Sequence, residues 1–392
     1  MTGIGILDFT DEENLFMEEK KNRDNILDIM KGVSILLVVL GHTYNPFCHN
    51  FIYLFHVAIF YIISGYFFNP SYVESKHGLF LLLKKRILSL WVPYVSYNFL
   101  ALLCQNFFLK IGFLTTNQEA YNLLGCYLPD GCNTYVTLKT AVLYILKSFC
   151  FMNSRPFAGG LWFLGGLFFV TFLYSLIQFI LVKFNHGNLH IFLSIFFLIL
   201  GFLFECLQLP AKISLFKQVD IILISEIMFT IGTLIKKYNV INLLKNMKSY
   251  LKILIASISL LILIIVSNYG TISIAARNII NPLFYLAVSI VGFVFIFYIS
   301  LGVDKLFILN TIYIYIGKHT IPILALHTLA FKIVTIMEWK IYDTEKIVLS
   351  AYPVWKNSFV WTIAYLFAGL FIPILVTYPI SKVKILKKVF VL

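Results

Sequence analysis

Apolar residues run through this chain in blocks too long for the core helices of a water-soluble protein. They fall at about 30–46, 50–68, 87–109, 160–182, 189–207, 220–236, 250–268, 281–302, 311–333 and 358–380. Each block approaches the roughly 20 residues that carry a helix across the hydrocarbon of a bilayer. The short alternating strands of a membrane barrel are absent. The pattern predicts an all-α fold, a polytopic integral membrane protein with about ten transmembrane helices. Composition agrees: 392 residues, 60% hydrophobic and only 12% charged, with a mean hydropathy of +0.88, lie outside the range of soluble domains.

The polar remainder divides the chain. Residues 1–22 read as an acidic N-terminal leader, 23–380 as one membrane domain and 381–392 as a basic tail, with no convincing internal repeat. The first twenty residues are too acidic and polar for a cleavable signal peptide, so the first span is expected to direct insertion. The longest connection, 110–158, holds an amphipathic run at 136–151 and reads either as a lid or acceptor surface or as a plain surface loop. With ten spans both termini share a side, and that side gathers roughly 19 of the 31 Lys and Arg. The expectation is a multi-pass protein of the cell membrane with both termini cytoplasmic. The net charge of +13 then reads as loop cations against anionic lipid rather than as a nucleic-acid footprint. Of the six cysteines, Cys126 and Cys132 in GCYLPDGC are close in a loop; their pairing stays open, and their spacing matches no zinc site. No metal is predicted.

Candidate chemistry concentrates in residues 23–66, read as two apolar helices joined by an NPFCHN turn. Lys31 and His42 are eleven residues apart, which puts them on one helical face about 16 Å apart. Lys31 either snorkels to the interface, pairs with Asp28, or faces a substrate. His42 either bonds a neighbouring helix or acts as a base. The second helix adds His56 in FHVAIF and Ser64 in ISGYF. Ser64 either shares a cavity with His56 or, with Gly65, lets helices pack closely. Ionisable residues at membrane depth are costly and point to function.

The spacing K-GVSILLVVLG-H (Lys31 to His42), the run FHVAIFYIISGYFF (His56, Ser64), the basic KKR ending at Arg86, the element GLWFLGGLFF (Trp162) and the late IGKHTIPILALHTL (His327) together resemble acyltransferase family 3. These are integral-membrane O-acyltransferases that modify surface sugars, and the closest likeness is to the fucose-4-O-acetylase-like branch. The resemblance spans about residues 23–330. It implies an O-acyltransferase, with an acetyl group moved from cytoplasmic acetyl-CoA to a sugar hydroxyl of a cell-surface polysaccharide or its lipid-linked precursor. It implies His42 as base or acyl relay, His56 and Lys31 as catalytic partners, Arg86 and Lys31 on the acyl-CoA, and Trp162, Ser64 and His327 on the substrate. Lys84 and Lys85 read as a positive flank. Where some branches carry a carboxylate three residues after the tryptophan, this chain has Gly165 and Gly166.

Pro322 lies between Lys318 and His327 and is expected to kink the ninth span. His319 reads as interfacial. Glu205 and Glu226 are buried acids outside any recognised element; Glu226 is a candidate partner for a buried cation. The partners expected are acyl-CoA, a glycan or lipid-linked sugar and the bilayer, with no nucleic acid; a homodimer is compatible with the sequence. The rival is a polysaccharide exporter or proton-coupled transporter whose histidines relay protons. It is disfavoured by the lack of repeats or paired broken helices.

Overall fold

The computed structural model describes residues 25–117, 119–120, 124, 134–152, 155–184, 186, 189–209 and 218–390. The leader 1–22 and the Cys126/Cys132 pair lie outside the described residues. Among the described residues the fold is helical, and the one β-bridge joins Ser273 to Asn278.

Among the described residues seven helical stretches are long and apolar enough to cross a membrane: Pro46–Tyr66, Lys76–Ile111, Pro156–Lys183, Ser249–Val266, Pro282–Asp304, Thr320–Tyr342 and Phe359–Ser381. Three further helices complete the bundle: α1 (Asn25–Gly41), α8 (His190–Cys206) and α9 (Val219–Lys237). The first two have 17 residues each, and α9 carries Asp220, Glu226, Lys236 and Lys237.

The chain after α1 departs from expectation. NPFCHN is not a turn: Asn45 accepts from the Phe47 amide and Pro46 opens the helix, a cap and first-turn proline that start α2 (Pro46–Tyr53). A break at Leu54–Phe55 separates it from α3 (His56–Tyr66). The third span begins earlier than 87. Helix α4 (Lys76–Arg86) runs through a π-turn, Ile87–Trp91, into α5 (Val92–Ile111), so Lys84, Lys85 and Arg86 sit inside a 36-residue rod.

The expected 110–158 connection contains a helix that packs on α5. A capping box of Thr137 and Thr140 starts α6 (Leu138–Phe149). Asn106 holds the Val136 backbone by two bonds of 2.9 and 2.7 Å, and Trp91 donates to the Phe149 carbonyl at 2.8 Å. Helix α6 therefore runs antiparallel to α5, down about 22 Å of it. Its stripe of Leu138, Val142, Leu143, Leu146 and Phe149 is an exposed apolar face. The chain returns past Phe151 and Arg155 to a 3-10 turn, Pro156–Leu161, and enters α7 (Trp162–Lys183).

From α9 the chain continues through α10 (Val240–Lys245), α11 (Ser249–Ser267) and α12 (Pro282–Asp304). The ninth span also differs. The chain breaks at His319, between α13 (Phe307–Lys318) and α14 (Thr320–Tyr342), so the crossing is 320–342 rather than 311–333. Pro322 lies in the first turn of α14, where its missing N–H costs nothing; it begins a helix instead of kinking one. Helix α15 (Phe359–Ser381) and α16 (Lys384–Phe390) close the chain. The Tyr97 hydroxyl holds the end of α16 by donating to the Phe390 carbonyl at 2.7 Å.

Backbone contact through glycine fixes the centre of the bundle. A Cβ on Gly65 of α3 would stand 2.0 Å from the Phe229 carbonyl oxygen of α9, and one on Gly232 of α9 would stand 2.0 Å from that of Ile62. Gly32 of α1 and Gly317 of α13 make a matching crossing, with Cβ positions 2.2 Å from the Tyr313 oxygen and 2.0 Å from the Asp28 oxygen. Small residues at such crossings gain dispersion contact that lipid does not supply. Gly65→Ala is expected to force α3 and α9 apart and lower stability by about 1–3 kcal/mol, as overpacking does. Neighbouring Ser64→Ala should leave it unchanged. Thermal melting of the two variants in detergent checks this; equal melting points would show that the crossing is slack.

Candidate active site

One cavity of about 1150 Å³ runs through the interior between α1, α3, α4 and α14. Its walls include Lys31, His42, His56, Ser64, Arg86 and Trp162, six of the seven candidate site residues, brought from four separate stretches of chain. Lys31 within α1 and His42 just past its last residue mark the two ends of the cavity. Around Lys31 stand Lys85, Arg86, Lys236, Lys318, Asn239 and Asn242; around His42 stand His56 and Tyr53. Lys236, Lys318, Asn239 and Asn242 are exposed, so the cavity meets solvent at the cationic end.

The cations are placed by local geometry. Lys31 lies 3.4 Å from Asp28, which is 1% exposed, and its ammonium sits 4.4 Å from the centre of the Phe67 ring. Arg86 and Lys85 end α4 just before the π-turn, and Ser89 within that turn also lines the cavity. π-turns are frequent at functional sites because they rotate the following side chains out of helical register. Lys85, expected to be only a flank, lines the cavity and reaches the Tyr72 hydroxyl at 3.4 Å; Lys84 is exposed and does not line it.

The seventh candidate, His327, is fully buried and does not line the cavity; it stands behind His42. His42 Nδ1 is 2.8 Å from His327 Nε2, and His327 Nδ1 is 3.0 and 3.1 Å from the carbonyl oxygens of Ile323 and Leu324. These contacts fix the tautomers of the neutral pair. Carbonyl oxygens only accept, so His327 Nδ1 carries its proton and donates. His327 Nε2 is then an acceptor, and His42 Nδ1–H donates to it. The remaining nitrogen, His42 Nε2, is left with its lone pair. His56 Nδ1 donates to the Ile52 carbonyl at 2.9 Å, which leaves its Nε2 basic by the same logic. A carboxylate or carbonyl behind an imidazole is the usual means of holding such a tautomer; here a second imidazole does it.

Two neighbours escaped the sequence reading. Tyr53 lies 4.8 Å from His56 and 6.4 Å from His42 between ring centres, and His49 packs 3.9 Å behind it. The spacing His49, Tyr53, His56 repeats at four and three residues, a one-face helical signal that was available. The glycines after Trp162 also have a reason. A side chain at Gly165 would meet the Phe151 ring at 2.9 Å, and one at Gly166 the Tyr61 hydroxyl at 2.5 Å. Glu226 bonds His190 at 2.7 Å and accepts from Thr230, while Glu205 accepts from the Ile279 amide; neither lines the cavity. His319 likewise donates to its own helix, at the Tyr315 carbonyl.

A family model described as an acyltransferase domain matches residues 24–378, nearly the whole membrane bundle. The chain belongs to acyltransferase family 3. This makes the protein a membrane acyltransferase and decides against the exporter reading. No curated protein and no solved structure matches it.

For this acyltransferase, His327→Leu is expected to leave the His42 Nδ1–H without its acceptor and to lower kcat about 10²-fold or more. The KM for the acyl donor should hold. His327→Gln, whose amide oxygen can still accept, should retain more activity. Steady-state kinetics of the purified variants check this; equal losses for Leu and Gln would reduce His327 to packing.

Proposed function

We propose that the protein moves an acyl group, in the first place acetyl, from cytoplasmic acyl-CoA to a sugar hydroxyl of a surface polysaccharide or its lipid-linked precursor. The observation that carries this reading is the two-ended cavity, with cations at one end and a basic imidazole nitrogen at the other. Lys31, Lys85 and Arg86 suit the phosphates of the donor by point charge and, for Arg86, by a planar fork. About 16 Å along α1 separates Lys31 from His42, so the anionic head stays at the solvent end while a slender arm carries the thioester inward. Trp162 and Ser64 line the intervening wall.

At the inner end the sugar hydroxyl approaches His42 Nε2. As its oxygen attacks the thioester carbonyl, its proton passes to that nitrogen and the C=O electrons move onto oxygen. Collapse of the tetrahedral intermediate restores the C=O and breaks the C–S bond. The departing thiolate takes the proton back from His42. Through the cycle His327 holds the ring, and its Nε2 receives the Nδ1–H bond that strengthens while His42 is an imidazolium. His56 stands ready to accept a second bond from the acceptor.

The test is acyl transfer by purified protein from radiolabelled acetyl-CoA to a crude lipid-linked glycan extract. His42→Ala is expected to bind the donor normally and lose transfer about 10²–10⁴-fold. Arg86→Ala is expected to raise the donor's KM with a smaller effect on kcat. Transfer that survives in His42→Ala would remove the base from this histidine. Label that stays on wild-type protein in the absence of acceptor would replace direct transfer with an acyl-enzyme.

A further inference from the structure

A further ionisable group lies deep in the bundle, apart from the cavity. Arg155 follows the re-entrant α6 and is 0% exposed. Its backbone amide donates to Asn98 Oδ1 at 3.0 Å, its Nη2 donates to Gln105 Oε1, and the Tyr144 ring lies 4.0 Å from its guanidinium carbon. Its Nε and Nη1 are buried without a hydrogen-bond acceptor. No carboxylate among the described residues bonds to it. A buried, uncompensated guanidinium is costly, and replacing it by apolar volume would normally stabilise a fold. Gln105 and Tyr144 orient the group without neutralising it.

We propose that Arg155, with Gln105 and Tyr144, is a binding site for a phosphate group carried on a lipid. Chemistry gives the phosphate: a guanidinium with open donors is the preferred protein partner for that anion. Position gives the lipid. Gln105 lies about 9 Å below the end of α5, where Gly112 caps it in the left-handed conformation (φ 88°). The same end of the bundle carries His327, whose ring adjoins Gly160, five residues after Arg155. The α5–α6 seam that covers Arg155 is flanked on its outer faces by exposed apolar side chains, Leu103 and Phe107 on α5 and Leu143 and Leu146 on α6. A lipid tail can lie along this seam while its phosphate turns inward; a free anion would have to cross it. Two lipids share this chemistry, a polyprenyl diphosphate that carries a glycan and an ordinary anionic phospholipid. The site stands on the geometry of Arg155 and does not depend on how acyl transfer proceeds.

The experiment measures retention of polyprenyl diphosphate, phosphatidylglycerol and inorganic phosphate by the full-length purified protein, each with a radiolabel, for wild type and Arg155→Met. Wild type is expected to retain a lipid phosphate, and Arg155→Met to lose about tenfold or more in affinity, the size of one charged hydrogen-bonded contact. Lipid-free Arg155→Met should melt no lower than wild type. Arg155→Lys, which keeps the charge but not the fork, should fall between them and serves if the methionine variant does not fold. Preference for the polyprenyl compound identifies the bound lipid as a glycan carrier; preference for phosphatidylglycerol identifies it as bulk headgroup; either supports the site. Retention equal in wild type and variants, retention of inorganic phosphate alone, or a destabilised Arg155→Met with unchanged lipid retention overturns it. Acetyl-CoA binding measured on the same samples separates this outcome from failure of the acyl-transfer reading, which it leaves untouched.

Discussion

Within a bilayer no water reaches a polar group that the protein leaves unsatisfied. That constraint sorts the side chains of this molecule. Most ionisable residues sit at helix ends. Those at depth are gathered into internal settings: the central cavity with Lys31, Arg86, His42 and His56, the His190–Glu226 contact, Lys332 on the Leu349 and Ala351 carbonyls, and Arg155 on Gln105. Each setting exists only because helices come close enough to exclude lipid. For the central cavity the glycine crossings between α3 and α9 and between α1 and α13 provide that closeness.

The same crossings align the chemistry. Gly32 adjoins Lys31, and Gly317 adjoins Lys318, so the contact that locks α1 to α13 also gathers cations at one cavity end. At the other end, the break at His319 starts α14 on a new course that brings His327 behind His42. A straight span through 311–333 would not have begun at this point. A carbonyl-to-imidazole-to-imidazole chain results, and it orients one basic nitrogen toward the cavity without burying a carboxylate beside it. That choice avoids the desolvation cost of a charged orienting group in a low-dielectric site.

The re-entrant α6 extends the same logic. Its exposed apolar stripe and its polar contacts to α5 make part of a connection an amphipathic helix docked on the bundle. Arg155 itself, in the non-helical return, is fully enclosed by protein. Beside its solvent-fed cavity, the acyltransferase thus holds a guanidinium fully enclosed between α5 and α6.

Hydropathy by itself determined the all-helical membrane architecture, because the length and apolarity of a crossing are local properties of the chain. The eleven-residue step from Lys31 to His42 was legible too, since it lies within one helix and depends only on helical pitch. Where helices start and stop was less so. The Asn45 cap, the π-turn after Arg86 and the break at His319 are set by single side chains and by packing, which a hydropathy window averages away. Tertiary structure alone decided the partners. His327 meets His42 across 285 positions, Lys85 and not Lys84 turns into the cavity, and Arg155 is buried although its neighbours in sequence look like a surface loop. Such contacts depend on how helices cross, and crossing is governed by shape complementarity between distant segments, which no local pattern records.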